Sequence, residues 1–355
     1  MSGSLEKLER ALNRIGQDAE TREALTRLLL DFEARANYSG GSVRDDVTGP
    51  VFDALYHDAG LVRKTLQSGL VFEFPHTSKI TRDFIMSKPE VPDHVWEPQT
   101  TRLLLYLSRD TRHVVIGGAY FGDQALLVAQ QLAARQGVVH AFEPHEGNLN
   151  TLRHNVQLNG LTDNVKSSAL GLWDEDTKLT LVGYDAYAFS APAADADNGF
   201  ATTTIDTYAE QEGITGQIGV IMIDTEGGEL KGFQGAEYHL RLPAPQAPHL
   251  IFEIHRHYVD WSDGLHNTDI VKYLHSLGYV IYSVRDFHSN YAMSHLPIEL
   301  VPLEETYLEG PPHGLNMVAV KDPTILQNDL FKLTHHVSPK LLWHKDPTLH
   351  HPTTS

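Results

Sequence analysis

Cysteine does not occur in this chain. Its absence removes disulfides, thiolate metal sites and cysteine nucleophiles together, and leaves the redox compartment undecided. Cationic residues are scarce: 28 Lys and Arg face 46 Asp and Glu, a formal charge of -18, and no Lys/Arg-rich run occurs. Nucleic-acid binding needs a cationic footprint, so no nucleic-acid partner is expected. Long apolar runs are missing too. None approaches the ~18 residues of a membrane span, and the first residues, MSGSLEKLERALNRIGQ, are charged and amphipathic rather than a basic start before an apolar core. The expectation is a soluble, cytoplasmic protein with no membrane span.

What is present is length enough for one large α/β domain with additions, or two smaller domains, in 355 residues. Leu5, Leu8, Leu12 and Ile15 recur at helical spacing and Gly16 stops them. A second helix is expected from about Ala19 to Tyr38, with Leu25, Leu28, Leu29 and Phe32 on its apolar side. These helices either pack on the main domain or form a dimer contact, so a homo-oligomer is possible, with packing the reading adopted. Ser87 to Trp96, SKPEVPDHVW, is a proline-broken connection that sets a domain boundary. The expected organisation is a helical cap over 1–95, a main domain over 96–322 and a tail over 323–355. The chain holds 21 histidines, several in that tail (His335, His336, His344, His350, His351), without ligand spacing, and no metal site is expected there.

From His113 strands and helices alternate, which predicts a doubly wound, mostly parallel sheet. Seven strands are expected: Val114 to Ile116, Val138 to Phe142, Val165 to Leu170, Val220 to Asp224, Leu250 to Ile254, Tyr279 to Val284 and Met317 to Val320. The last follows a long segment of little helical pattern and is expected to return antiparallel. Ser190 to Gly199, SAPAADADNG, has no periodicity and reads as a solvated loop, or as a lid over the substrate.

The first strand runs into GGAYFG, and the second ends on Glu143. Gly117, Gly118 and Gly122 let the backbone take positive φ and approach a ligand over the strand ends. Glu143 can accept hydrogen bonds from both hydroxyls of a ribose. Turn and acid together say nucleoside. The bulky Tyr120 and Phe121 stand where a dinucleotide fingerprint, G-x-G-x-x-G, needs open approach to a pyrophosphate, so a phosphate-free nucleoside such as S-adenosylmethionine fits better.

At the same sheet edge the fourth strand ends in IMIDTEGG, presenting Asp224 and Glu226, and the fifth ends in FEIHRH, with Glu253, His255 and His257 on one face if it stays extended. Carboxylates and imidazoles beside a nucleoside pocket suit proton removal from a hydroxyl or amine. Asp224, Glu253 and His255 are also chemically able to hold a divalent metal, but nothing fixes their separation and no metal is assigned.

Trp96 to Asp322 resembles the FkbM-type class I methyltransferases in the GAYFG turn, AFEPHEGNLNTLRHNVQLNGL from Ala141, SSALG from Ser167, TTTIDTY from Thr202, IDTEGGELKGFQGAE from Ile223 and FEIH from Phe252. The resemblance implies a Rossmann-like, seven-stranded methyltransferase domain with an N-terminal helical extension, and S-adenosylmethionine as cofactor. It implies O-methylation of a hydroxyl on a sugar-containing or polyketide-like small molecule. It implies further that Gly118, Ala119, Tyr120 and Gly122 line the methionine and ribose region, and that Glu143 and Pro144 hold the ribose end. Ala169 and Leu170 would border the adenine. Asp224 and Glu226 would face methyl donor and acceptor, with Glu253 and His255 alongside. The chain departs from the family's D-x-G-x-N-x-G pattern at Ile116 and Tyr120, so the cofactor's amino group needs another partner, Glu97 being the candidate, or binding is weak. Two other readings stand beside this one: a non-catalytic nucleoside-binding or scaffold protein, and a nicotinamide-dependent oxidoreductase, disfavoured by the missing G-x-G-x-x-G.

Overall fold

The computed structural model describes residues 2–39, 41–182, 189–192, 199–255, 258–307 and 314–353. The N-terminal part comprises α1 (Ser2–Gly16), α2 (Ala19–Arg35), α3 (Gly49–Tyr56), β1 (Leu61–Thr65), β2 (Val71–Pro75) and α4 (Lys79–Ile85). The main domain opens with α5 (Pro98–Ser108), β3 (His113–Gly117), α6 (Ala125–Ala133), β4 (Val138–Phe142), α7 (Glu146–Leu158) and β5 (Val165–Ser168). A side sheet follows, with β6 (Gly171–Leu172), β7 (Lys178–Val182), β8 (Phe189–Pro192) and β9 (Phe200–Thr203). Then come α8 (Ile205–Glu212), β10 (Ile218–Ile223), α9 (Glu229–Gln234), α10 (Glu237–Arg241), β11 (His249–Ile254), α11 (Asp269–Ser276) and β12 (Val280–Val284). The chain continues through β13 (Ile298–Pro302), β14 (Leu315–Val320), β15 (Phe331–Leu333) and α12 (Pro347–His350).

All seven expected strands form, in the order β5-β4-β3-β10-β11-β14-β12. Pairing is parallel from β5 to β11, and β14 runs antiparallel to both β11 and β12, as its long connection suggested. The strands read as near-continuous apolar runs because helices cover both faces. Strand order reverses between β3 and β10, which opens a crevice above their carboxyl ends.

Two further strands enlarge the sheet. β13 adds antiparallel to β12, and β15 adds parallel to β13. The segment expected as a tail therefore takes part in the main sheet, and Arg285 ties it down. This fully buried guanidinium pairs with Glu299 at 2.6 Å and donates to the carbonyls of Ser338 (2.6 Å), Leu349 (2.8 Å) and His351 (3.0 Å).

The N-terminal extension is not purely helical. Alternation in VFEFP makes β2 a strand whose Phe72 and Phe74 point inward, with the Phe74 ring 5.4 Å from Phe84 and 5.1 Å from Phe121. Its free edge is completed by side chains of α7: Asn159 Oδ1 accepts from Val71 N and Asn155 Oδ1 from Glu73 N, both at 2.8 Å. Of the Leu5 to Ile15 stripe, expected to pack on the main domain, only Leu12 is buried, and α1 packs chiefly on α3. Leu5 and Leu8 are 67% and 51% exposed. α1 ends where it crosses α3 at Gly16, whose backbone lies so close that a Cβ would sit 1.8 Å from the Leu55 carbonyl oxygen.

Two other expectations change. The residues from Leu230 to Arg241, whose pattern predicts a single helix, form two, α9 and α10, broken at Gly235, where a Cβ would lie 2.0 Å from the Trp173 carbonyl oxygen. The Ser190–Gly199 loop lies mostly outside the described residues, but its beginning belongs to β8, part of a sheet ordered β6-β9-β7-β8.

Candidate cofactor and active site

A cavity of about 620 Å³ lies in the crevice between β3 and β10. Its floor is the turn after β3, where Gly118 (φ 78°) and Tyr120 (φ 44°) are left-handed. Gly118 abuts the next strand so closely that a Cβ would lie 1.8 Å from the Asp224 carbonyl oxygen. Tyr120 takes this costly backbone conformation while its hydroxyl donates to Ser78 Oγ at 3.0 Å, which fastens the turn to the N-terminal unit.

Glu143 occupies one end of the cavity. Its carboxylate is oriented by the backbone N–H groups of Tyr120 and His145, each at 2.9 Å, and burial nevertheless pushes its pKa up to about 7. Each carboxylate oxygen retains acceptor capacity beyond one N–H, which suits a vicinal diol. Pro144, Asn148, Phe142, Leu170 and Trp173 wall the same end with flat or apolar surface.

The other end is acidic. Burial raises Asp224 to about 6 and Asp123 to about 7, the latter helped by the Asp224 charge. Glu226 is raised to about 8 by burial and then by Asp224 and Glu229. Glu229 shapes this edge: it accepts from Thr225 N at 2.9 Å and Gly227 N at 3.1 Å and so holds the turn that presents Asp224 and Glu226. Behind the wall, Glu97 and Glu253 are buried and pushed well above the usual carboxylate range, by burial first and by Asp224 next. No lysine or arginine is among the described residues lining the cavity. Glu226 Oε2 and Gln124 Oε1 are buried without hydrogen-bond partners.

Of the residues singled out from sequence, Gly118, Ala119, Tyr120, Glu143, Pro144, Leu170, Asp224 and Glu226 line the cavity together. Five others do not line it. Gly122 (φ 93°) packs against Leu126 and Leu152 and serves the turn from behind. Ala169 is exposed, one step out of phase with Leu170. Glu97 stands at the N-cap of α5 with φ 48°, its Oε1 3.6 Å from His288 Nε2 and its Oε2 unpartnered. Glu253 lies under Gly314, where a Cβ would be 2.3 Å from its Oε1. His255 follows the end of β11, so strand alternation no longer aims it. It is buried, its ring centroid is 5.0 Å from that of Tyr258, and its carbonyl accepts from Tyr258 N and Val259 N. His257 lies outside the described residues.

Asp123 and Trp173 were missed by the sequence reading. The local pattern predicts a helix from Asp123, but α6 begins at Ala125, so the Asp123 carboxyl belongs to the turn. An acid directly after the last turn glycine was the available signal. For Trp173 none existed, since a side sheet brings it in. Among the described residues no group of three or more His, Asp or Glu is placed to hold a metal ion.

A switch-point crevice with a glycine turn, a buried acid at the next strand end and an apolar slot is the place where open α/β sheets bind their ligands. In this chain, residues 117–281, just under half of the chain, match the family model described as the methyltransferase FkbM domain. No curated protein matches the chain in sequence. Among solved structures it is similar to a methyltransferase FkbM from Methylobacillus flagellatus, at 16% identity over 59% of this chain and 44% of that one, with a TM-score of 0.37. The chain thus spans less than half of that protein. It is also similar to a SAM-dependent methyltransferase from Agrobacterium tumefaciens (14% identity, 74% and 70% covered, TM-score 0.39) and to an O-methyltransferase from Bacillus cereus in complex with SAH (15%, 63% and 80%, 0.34).

Proposed function

We propose that the protein transfers a methyl group from S-adenosylmethionine to a hydroxyl of a sugar-containing or polyketide-like small molecule. One observation carries the reading: the cavity pairs a diol acceptor at one end with an uncompensated carboxyl cluster at the other. A cofactor with a ribose diol, a sulfonium and an ammonium answers both ends, and about 620 Å³ lies within the roughly 300–1,000 Å³ range of small-molecule sites. When bound, the cofactor supplies an electrophilic methyl group; everything else falls to the chain.

Glu143 holds the ribose hydroxyls, and the backbone of Gly118 to Tyr120 supports the sugar. Leu170 and Trp173 enclose the base. Ile116, where the family carries an acid, offers no partner to the ammonium, and Asp123 is the carboxylate on the cavity wall that takes over, with Glu97 reinforcing the negative field from behind. Asp224 and Glu226 face the acceptor. Asp224, presented at the carboxyl end of β10 on the cavity wall, is the group placed to take the proton of the attacking hydroxyl, and the fixed geometry of the site supplies much of the rate by positioning. His255 and Glu253 support this edge from beneath.

Calorimetry tests the reading. Wild-type protein is expected to bind S-adenosylmethionine, and Glu143→Ala to lose at least about tenfold in affinity, since hydrogen bonds to a charged group contribute about 1.5–3 kcal/mol. Unchanged affinity in the variant would remove Glu143 from its role, and tight binding of a nicotinamide cofactor instead would favour the oxidoreductase reading.

A further inference from the structure

The candidate site carries more negative charge than its cofactor answers. S-adenosylmethionine brings a sulfonium, an ammonium and a carboxylate, one net positive charge at neutral pH. Against it stand Asp123, Asp224 and Glu226 on the cavity wall, with Glu97 and Glu253 buried behind them, while Glu143 is engaged at the ribose end. We propose that the methyl acceptor is itself a cation, a hydroxylated amine whose ammonium is held by Glu226 while its hydroxyl meets Asp224. The proposal rests on the methyl-transfer reading and adds a charge to the acceptor.

The chain does not cancel these acids from within the cavity. Lysine and arginine are absent from its described lining, and His145, which lines the ribose end, accepts from Asn148 N at 3.3 Å and so caps α7 as a neutral ring. His288 reaches Glu97 at 3.6 Å, behind the wall. The ammonium groups nearby are matched elsewhere: Lys79, 5.9 Å from the Trp96 ring, lies 2.9 Å from both Asp45 and Asp83, and Lys231 pairs with Asp174. A second cavity, of about 460 Å³, lies between α2, the segment leading into α3, the loop after β12 and the C-terminal segment around Trp343, and there the signs mix: Arg44, Lys79, Lys88 and Lys340 line it beside Glu33, Asp45 and Asp286. The one-signed lining is therefore a property of the first cavity, not of an acidic chain at large.

Glu226 is the group placed to hold the ammonium. It lines the cavity from the turn after β10, a turn that Glu229 fixes by accepting from Gly227 N at 3.1 Å. Its Oε2 accepts no hydrogen bond from the chain, and neither does Oε1 of Gln124, a 6% exposed residue of the same lining. An ammonium brings three N–H donors and no acceptor. Burial, with Asp224 and Glu229 adding to it, raises Glu226 to about 8. An opposite charge within about 4–6 Å favours the ionised form, which a neutral acceptor would not do. Trp96 and Trp173 also line the cavity, and indole faces attract ammonium groups. Transfer moves the hydroxyl proton to Asp224 and the methyl group to the acceptor oxygen, with the carbon–sulfur bond breaking; the acceptor's ammonium takes no part.

The test is calorimetry on the full chain saturated with S-adenosylhomocysteine, which carries no sulfonium. It compares tyramine with p-ethylphenol, aminocyclohexanol with cyclohexanol, and deoxystreptamine with inositol. In at least one pair the amine should bind at least about tenfold tighter than its neutral partner. Glu226→Gln should remove that preference and bind S-adenosylhomocysteine like wild type. Neutral partners that bind as well as the amines, no amine bound in any pair, a preference untouched by Glu226→Gln, or a methyl group found on nitrogen rather than oxygen of an amine that is turned over would overturn the proposal. If neither S-adenosylmethionine nor S-adenosylhomocysteine binds wild type, the methyl-transfer reading fails by itself, and titration of the same pairs into cofactor-free wild type and Glu226→Gln judges the cation site separately.

Discussion

The two cavities differ in the charges that line them. Around the first, carboxyls of one sign gather with no lysine or arginine among its described lining, and burial lifts Asp123, Asp224, Glu143 and Glu226 to about 7, 6, 7 and 8. Around the second, acids and bases mix: Arg44 and Lys79 pair with Glu33, Asp45 and Asp83, and Lys88 and Lys340 line it beside them. Acids gathered without a counter-charge are prepared for a cationic ligand, whereas acids already paired with bases are spent on holding the fold together.

The largest expected effect breaks the second region. Arg285→Met leaves Glu299 buried and unpaired, and breaking a buried pair costs about 3–5 kcal/mol. Chemical denaturation should show that loss together with release of the C-terminal segment, whose carbonyls Arg285 binds. In the first region, Gly118→Val should cost more than about 2 kcal/mol, since left-handed backbone strains any side chain and the added Cβ meets the Asp224 carbonyl. Cofactor binding should be lost with it.

The pH dependence sharpens the contrast. Carboxyls whose folded-state pKa lies above the unfolded value bind more protons when folded, so their stabilising contribution is complete below about pH 4 and is lost as pH rises through their folded values. Thermal stability of the cofactor-free protein should therefore fall between about pH 6 and 8, and the affinity for cationic S-adenosylmethionine should rise over the same window. A flat affinity profile would mean that these acids do not see the cofactor's charge. The smallest effect concerns α1: Leu8→Gln should stay within about 0.5 kcal/mol of wild type, whereas Leu12→Ala, at the buried position of the same stripe, should cost about 2–5 kcal/mol.

Local chemistry made the first cavity legible. The glycine turn, Glu143 and the Asp224–Glu226 pair each lie at the end of a strand that hydrophobic runs reveal, and in a parallel sheet strand ends converge at one edge whatever the details. The same logic failed at His255, because alternation aims a side chain only while the strand lasts, and β11 stops at Ile254. It failed again at Asp123, which a helix start two residues later, at Ala125, moved from helix to turn.

What the sequence determined by itself was the sheet: seven apolar strands, their alternation with helices, and the acid-and-glycine edge above them, all carried by patterns within a few tens of residues. Only the tertiary structure decided the rest. The hairpin bolted to α7 by two asparagines, the C-terminal segment held by Arg285, and a second cavity joining Arg44 to Asn290 and Trp343 depend on contacts between positions up to some three hundred residues apart. No local period encodes such contacts, because each side chain there is chosen by the partner it meets after folding rather than by its neighbours in the chain.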